Sequence, residues 1–136
     1  MVGAATVTVG PGDEEQLAAV SAGEHFDVVF DATGNPKAME RGFRFVAHAG
    51  SYVLISVVGA PITFSDPEFH KREMMLIGSR NATRIDFDHV RQSIAQGLVP
   101  IDQLVTHRTT LDDLADDLPR WAREKSGLIK ALIQIG

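Results

Sequence analysis

The sequence predicts an α/β fold: a partial doubly wound parallel sheet with helices on both faces. Short apolar runs alternate with helical patterns along the chain, and several of the runs end at a glycine. Strand, helix, strand at this spacing is typical of βαβ units, whose right-handed crossovers place the strands parallel. With 136 residues and 44% apolar residues, one domain spanning residues 1–136 is expected.

The strands are predicted from apolar, β-branched runs. The first is closed by a turn at Gly10-Pro11-Gly12, and the strongest run is SYVLISVV. The run FDVVFDA is as short and apolar as a strand that is buried on both faces of a sheet. The predicted strands are Val2–Val9, Phe26–Ala32, Ser51–Val58, Glu73–Gly78 and Leu128–Ile135.

The helices are predicted from apolar residues at helical spacing and from residues typical of helix ends. Asp13 is expected to cap the first helix, and Pro36 suits the first turn of the second. Pro119 is expected to kink the last helix. A loop is expected around Asp66-Pro67, and a partly extended connector over Ile101–His107. The predicted helices are Asp13–Gly23, Pro36–Val46, Ile85–Gly97 and Leu111–Lys125.

Composition argues against several function classes. The formal net charge is -5 with no basic face, so neither nucleic acid nor a membrane surface is an expected partner. The chain has no cysteine, which excludes disulfides and thiolate zinc sites. The longest apolar run, Tyr52–Ile62, is too short to span a bilayer, and no leader pattern is present. A cytoplasmic protein is therefore expected.

Three predicted strands end beside a glycine, at Ala32–Asn35, Val57–Ala60 and Ile77–Arg80. In open α/β sheets the ligand crevice lies outside the carboxyl ends of the strands. A glycine there lets the backbone approach a flat ligand closely. The alternative interpretation is that these glycines only turn strands into loops.

The remaining candidate residues are less specific. Gly10-Pro11-Gly12 lacks the third glycine of a dinucleotide fingerprint and is interpreted as a turn. The five histidines show no metal-ligand spacing. Arg80 either meets an anionic group or is an ordinary surface arginine. Lys130, inside an apolar strand, either extends to solvent at a sheet edge or points its charge towards a phosphate.

The run FDVVFDATGNPKAME resembles the zinc-type medium-chain alcohol and polyol dehydrogenases. The likeness continues, in order, through GSYVLISVVGAP, EMMLIGSR, LVTHRTTLDDLADDL and LIKALIQIG. The match is to the C-terminal part of that family: the second half of its Rossmann coenzyme-binding domain and the closing segment. The details are most similar to the branch acting on sugar alcohols, sugar acids and threonine.

The resemblance implies a nicotinamide-facing wall, a substrate contact and a phosphate contact. Thr33 and Gly34 would lie under the nicotinamide and its ribose, with Arg80 near the substrate. Lys130 corresponds to a basic position that meets the pyrophosphate. The other wall residues, which include main-chain groups for the carboxamide, would be Val58, Gly59, Ala60, Gly78 and Ser79.

The resemblance also implies which parts this sequence does not contain. It lacks the zinc-binding catalytic domain and the GxGxxG unit that cradles the pyrophosphate. We therefore expect NAD or NADP, and likewise zinc, to be cofactors of the complete enzyme. This chain alone is expected to bind the coenzyme weakly or not at all. Family members pair through the last coenzyme-domain strand, here Glu73–Gly78 and the loop Ala60–Thr63, so a homodimer is expected.

One edge of the strand Phe26–Ala32 is expected to lack its family neighbour. Either Val2–Val9 pairs beside it, or two copies of the chain join edges.

Three function classes remain open. In the first, the chain is a fragment of a zinc- and NAD(P)-dependent oxidoreductase and is inactive alone. The complete enzyme would act on a secondary alcohol of a polyol or sugar acid. Alternatively, the chain is a free-standing, non-catalytic dimerisation or nucleotide-binding module. Another Rossmann-like domain, such as a methyltransferase, is disfavoured by the combination of ATGNP, VVGAP and IGSR.

Overall fold

The computed structural model describes residues 4–124 and 126–135, and these form two compact units. The first unit contains residues 4–81, and the second contains residues 82–135 apart from residue 125. Each unit holds its own parallel sheet with helices between the strands, so the predicted α/β class is confirmed.

The sheet of the first unit has three strands: β1 (Phe26–Asp31), β2 (Val46–Leu54) and β3 (Met75–Gly78). Their order is β1-β2-β3, and both pairs are parallel. Because parallel strands run in one direction, the carboxyl ends of all three lie at the same edge of the sheet.

Three helices belong to the first unit: α1 (Asp13–Val20), α2 (Pro36–Gly42) and α3 (Asp66–Lys71). A 3₁₀ turn, Phe43–Phe45, connects α2 to β2. Pro36 occupies the first turn of α2 as predicted, and the Asn35 side chain caps this helix by accepting hydrogen bonds from the next free N–H groups.

The predicted first strand is not formed over residues 4–9, and its first two residues lie outside the described part of the chain. This segment therefore does not pair beside β1. Asp13 is the first residue of α1, and the residue at the cap position is Gly12. The Asp13 carboxylate accepts hydrogen bonds from Arg41, with 2.8 Å between Arg41 Nη1 and Asp13 Oδ2. Hydrogen bonds from Arg41 hold the pKa of Asp13 at about 2.

The boundaries of β2 differ from the predicted strand Ser51–Val58. The strand begins at Val46 and ends at Leu54, so the predicted helix stop at Ala49-Gly50 lies inside it. Ala49 has a φ of 55° and donates its N–H to Arg72 O at 2.7 Å, which lets the strand continue through an irregular register. Helix α3 also forms where a loop was predicted, with Pro67 in its first turn.

The core of the first unit is built around Tyr52, which is 0% exposed. Its ring meets the edge of Phe43 at a centroid distance of 4.8 Å, and its hydroxyl donates to Met39 O at 2.8 Å. Val46 and Met74 complete the buried cluster. This core fixes α2 against β2 and so determines where the loop between β1 and α2 lies.

The second unit contains α4 (Arg84–Ala95), a four-residue helix α5 (Ile101–Leu104), β4 (Val105–Thr110), α6 (Leu114–Arg123) and β5 (Lys130–Gln134). Strands β4 and β5 pair in parallel. Helix α4 begins one residue before its predicted range, at Arg84, and ends inside that range. Helix α6 lies within its predicted range, whose last residue, Lys125, lies outside the described residues. None of the described helices is long and apolar enough to cross a membrane.

We predict that Gly42→Ala destabilises the first unit, because the new methyl group would lie 2.1 Å from Tyr52 Oη. The buried tyrosine must shift, and we expect the free energy of unfolding to fall by about 1–3 kcal/mol. Urea unfolding followed by far-ultraviolet circular dichroism measures the change. Gly59→Ala is the control, since no heavy atom lies within 4 Å of its added methyl group. Equal effects of the two substitutions would contradict this packing.

Candidate functional site

The candidate site is the carboxyl edge of the first sheet. In the strand register Asp31 pairs with Leu54, and Leu54 pairs with Gly78. Beyond the strands, Ile55 N–H donates to Asp31 O at 2.9 Å and Ser79 N–H donates to Leu54 O at 2.9 Å. The main chain itself therefore joins the three strand ends into one continuous edge.

A buried carboxylate holds the first turn at this edge. Asp31 is 5% exposed, and its Oδ1 accepts hydrogen bonds from Thr33 N–H at 3.1 Å and Thr33 Oγ1 at 3.2 Å. Thr33 Oγ1 in turn accepts Asn35 N–H at 3.2 Å. This chain of bonds fixes the path from β1 to the start of α2, although the residues of the turn are exposed.

Gly34 lies in this turn with a φ of 62°, a left-handed conformation that favours glycine. Its N–H donates to Ser56 Oγ at 3.0 Å, so the turn after β1 is joined to the segment after β2. No heavy atom lies within 4 Å of a Cβ built on Gly34 or on Gly78. At both positions the backbone thus faces open space.

Gly78 is the last residue of β3, and Ser79 and Arg80 follow it as exposed residues. The structure therefore places Thr33, Gly34, Gly78 and Ser79 at one edge of one sheet.

The second predicted group, Val58, Gly59 and Ala60, lies further along the chain from the end of β2 than expected. Because β2 ends at Leu54, these residues follow its last residue by four to six positions. Among the described residues, no hydrogen bond links them to the other two strand ends. Their contribution to a ligand site stays a prediction.

The residue that replaces them at the edge is Ser56, which the sequence analysis did not single out. The apolar run SYVLISVV predicts one strand through Val58, because a single serine inside such a run does not by itself end a strand. The serine inside an otherwise apolar run was the available signal.

Lys130 belongs to the second unit, where it begins β5 and pairs with Val105. Its side chain is exposed rather than buried in the strand. The phosphate contact implied for it stays a prediction.

The hydroxyl of Tyr52, which is buried in the core, is not available for acid–base chemistry at neutral pH. Burial, together with the negative charge of Asp31, raises the pKa of Tyr52 to about 12. Its hydroxyl therefore stays protonated at neutral pH and donates to Met39 O. Its observed contacts are those of the core, with Met39 and Phe43.

Zinc does not fit the part of the chain that the structure describes. No three His, Asp or Glu side chains there are grouped as metal ligands, and the sequence has no cysteine. His70 and Asp66 are exposed on α3, with 3.9 Å between Nε2 and Oδ1.

A cavity of about 680 Å³ lies elsewhere in the first unit, between α2 and α3. Its floor contains Phe43, Phe64 and Phe69, and none of its lining residues belongs to the edge described above. It is therefore separate from the candidate site.

The chain is similar in sequence to L-galactonate-5-dehydrogenase of Escherichia coli K12. The two are 38% identical over 120 residues, which cover 88% of this chain and 35% of that protein. The chain thus spans about a third of the length of this relative.

Solved structures share the fold. The 2R,3R-butanediol dehydrogenase of Bacillus subtilis superposes with a TM-score of 0.80 at 23% identity, covering 90% of this chain and 35% of that one. An alcohol dehydrogenase of Escherichia coli CFT073, solved as a complex with NADH, gives a TM-score of 0.78 at 20% identity over the same shares. At these identities the likeness establishes the fold alone.

The family model described as zinc-binding dehydrogenase matches residues 2–96, which include every strand and helix of the first unit. This range contains the whole hydrogen-bonded edge from Asp31 to Ser79. The chain therefore belongs to the zinc-binding dehydrogenase family.

Proposed function

We propose that this chain forms one wall of the nicotinamide site in a zinc- and NAD(P)-dependent oxidoreductase. The observation that carries the proposal is the edge of the first sheet, where main-chain hydrogen bonds hold three strand ends side by side. An edge of this kind is where α/β proteins bind nucleotides.

The open space at Gly34 and Gly78 supports a flat ligand. A side chain at either position would extend into the space next to the backbone, whereas glycine leaves it open for an aromatic ring. In this proposal Thr33 and Gly34 lie under the nicotinamide and its ribose, and Gly78 and Ser79 continue the wall. When bound, the coenzyme supplies the hydride chemistry, and these residues orient it.

The remaining predicted residues complete the assignment. Val58, Gly59 and Ala60 offer main-chain groups to the carboxamide from the loop after β2. Arg80 lies near the substrate, and Lys130 contacts the pyrophosphate.

The proposed substrate is a secondary alcohol of a polyol or sugar acid. Support comes from the sequence likeness to L-galactonate-5-dehydrogenase, whose name specifies a sugar acid. We expect no turnover from this chain alone, because the resemblance assigns the zinc ligands and the GxGxxG unit to segments that this sequence does not contain.

Binding of NADH tests the wall. We expect the ¹⁵N–¹H spectrum of the chain to show NADH-dependent shifts of the Gly34, Gly78 and Ser79 amides, with a dissociation constant of the order of 1 mM or weaker. In Gly78→Val these shifts should fall at least about fivefold, because the new side chain fills the open space.

The matched control is Gly10→Val, since no heavy atom lies within 4 Å of its added Cβ and it precedes α1 rather than following a strand. It should titrate as the parent chain does. Absence of shifts at the edge of the parent chain would overturn the proposed wall. A micromolar dissociation constant by calorimetry would contradict the expected weakness of the isolated chain.

We also propose that two copies associate through β3. In the described sheet β3 has β2 as its one neighbour, and its apolar residues Met75, Leu76 and Ile77 are 52%, 40% and 43% exposed. An apolar strand with an unpaired edge is a template for pairing with another strand.

Sedimentation velocity at high protein concentration tests this association. We expect the parent chain to be a dimer and Ile77→Lys to be largely monomeric, because lysines on paired edges repel each other. Val9→Lys is the control: Val9 is 82% exposed and outside the sheet, so its variant should remain dimeric. A monomeric parent chain, or a dimeric Ile77→Lys, would disprove pairing through β3.

A further inference from the structure

We infer that Ser56 is a positioning residue of the nicotinamide wall and that its hydroxyl faces the bound coenzyme. This inference rests on the proposed function and adds a residue to it. Ser56 is half-buried, two residues beyond the end of β2. Its own N–H donates to Asp31 O at 3.3 Å, next to the bond from Ile55 N–H to the same oxygen.

The side chain of Ser56 joins the turn after β1 to the segment after β2. Its Oγ accepts Gly34 N–H at 3.0 Å and so joins two segments that are 22 residues apart in sequence. Gly34 is exposed and left-handed, so its N–H would otherwise point to solvent. The Ser56 hydroxyl therefore holds the Thr33–Gly34 turn in the position where the nicotinamide is proposed to stack.

A serine hydroxyl is one donor as well as an acceptor. The bond from Gly34 uses an acceptor lone pair, and no hydrogen bond among the described residues uses the hydroxyl proton. That proton is available to an oxygen of the ligand. The chemical class that fits is a carbonyl or hydroxyl oxygen of the nicotinamide riboside portion of the coenzyme.

The test compares three variants by NMR. Ser56→Ala removes the hydroxyl, Ser56→Thr retains it, and Ser65→Ala is the matched control, because the Ser65 side chain makes no capping hydrogen bond at the start of α3. The first readout, without ligand, is the rate at which the Gly34 amide proton exchanges with water. The second readout is the chemical shift of the Ser79 amide, directly after β3, during titration with NADH.

We expect Ser56→Ala to raise the Gly34 exchange rate about two- to tenfold, the range that corresponds to one ordinary hydrogen bond. The NADH dissociation constant should rise by a similar factor. Ser56→Thr should restore both values, and Ser65→Ala should change neither. If Ser56→Ala acted only by destabilising the fold, amide exchange would rise throughout the sheet, and Ser56→Thr would not restore it.

The outcomes separate the two proposals. If NADH shifts the Ser79 amide equally in the parent chain and in Ser56→Ala, the role of Ser56 is overturned while the wall stands. If Gly34 exchange is unchanged in Ser56→Ala, the contact between the two segments is also refuted. If NADH shifts no amide of the edge in the parent chain, the proposed function fails and the ligand role of Ser56 fails with it.

Discussion

The structure of the candidate site depends on Asp31, the last residue of β1. Its main-chain oxygen accepts the N–H groups of Ile55 and Ser56, which ties the end of β2 to the end of β1. Its buried carboxylate accepts two hydrogen bonds from Thr33 and fixes the turn that follows. A buried carboxylate is costly unless such partners are present, so the turn and the carboxylate stabilise each other.

The strand β1 could be predicted because a short apolar run between polar turns has few alternatives. The boundaries of β2 could not, because Ala49-Gly50 has the local pattern of a helix end. A tertiary contact lets the strand continue through this point: Arg72, at the end of α3, supplies the carbonyl oxygen that accepts the Ala49 N–H. Arg72 also donates to Val46 O, so a residue far along the chain fixes the start of this strand.

The difference between the predicted end of β2, Val58, and its observed end, Leu54, explains which part of the site the sequence predicted. Thr33 and Gly34 follow β1 and Gly78 ends β3, two strands whose predicted ends differ from the observed ends by at most one residue, and the structure brings these residues to one edge. The predicted strand runs to Val58 and so places Gly59 at this edge, whereas the observed strand ends at Leu54. The residue in contact with the Gly34 turn is Ser56, whose importance appears only once the register between β1 and β2 is known.

Hydrogen-bond scalar couplings across the strand ends test the account most directly. In a long-range HNCO spectrum of the chain, we expect correlations from Ile55 N–H to the Asp31 carbonyl and from Ser79 N–H to the Leu54 carbonyl, both bonds being 2.9 Å in the structure. Absence of both correlations, with rapid exchange of the same two amides, would show that the three strand ends do not form one edge.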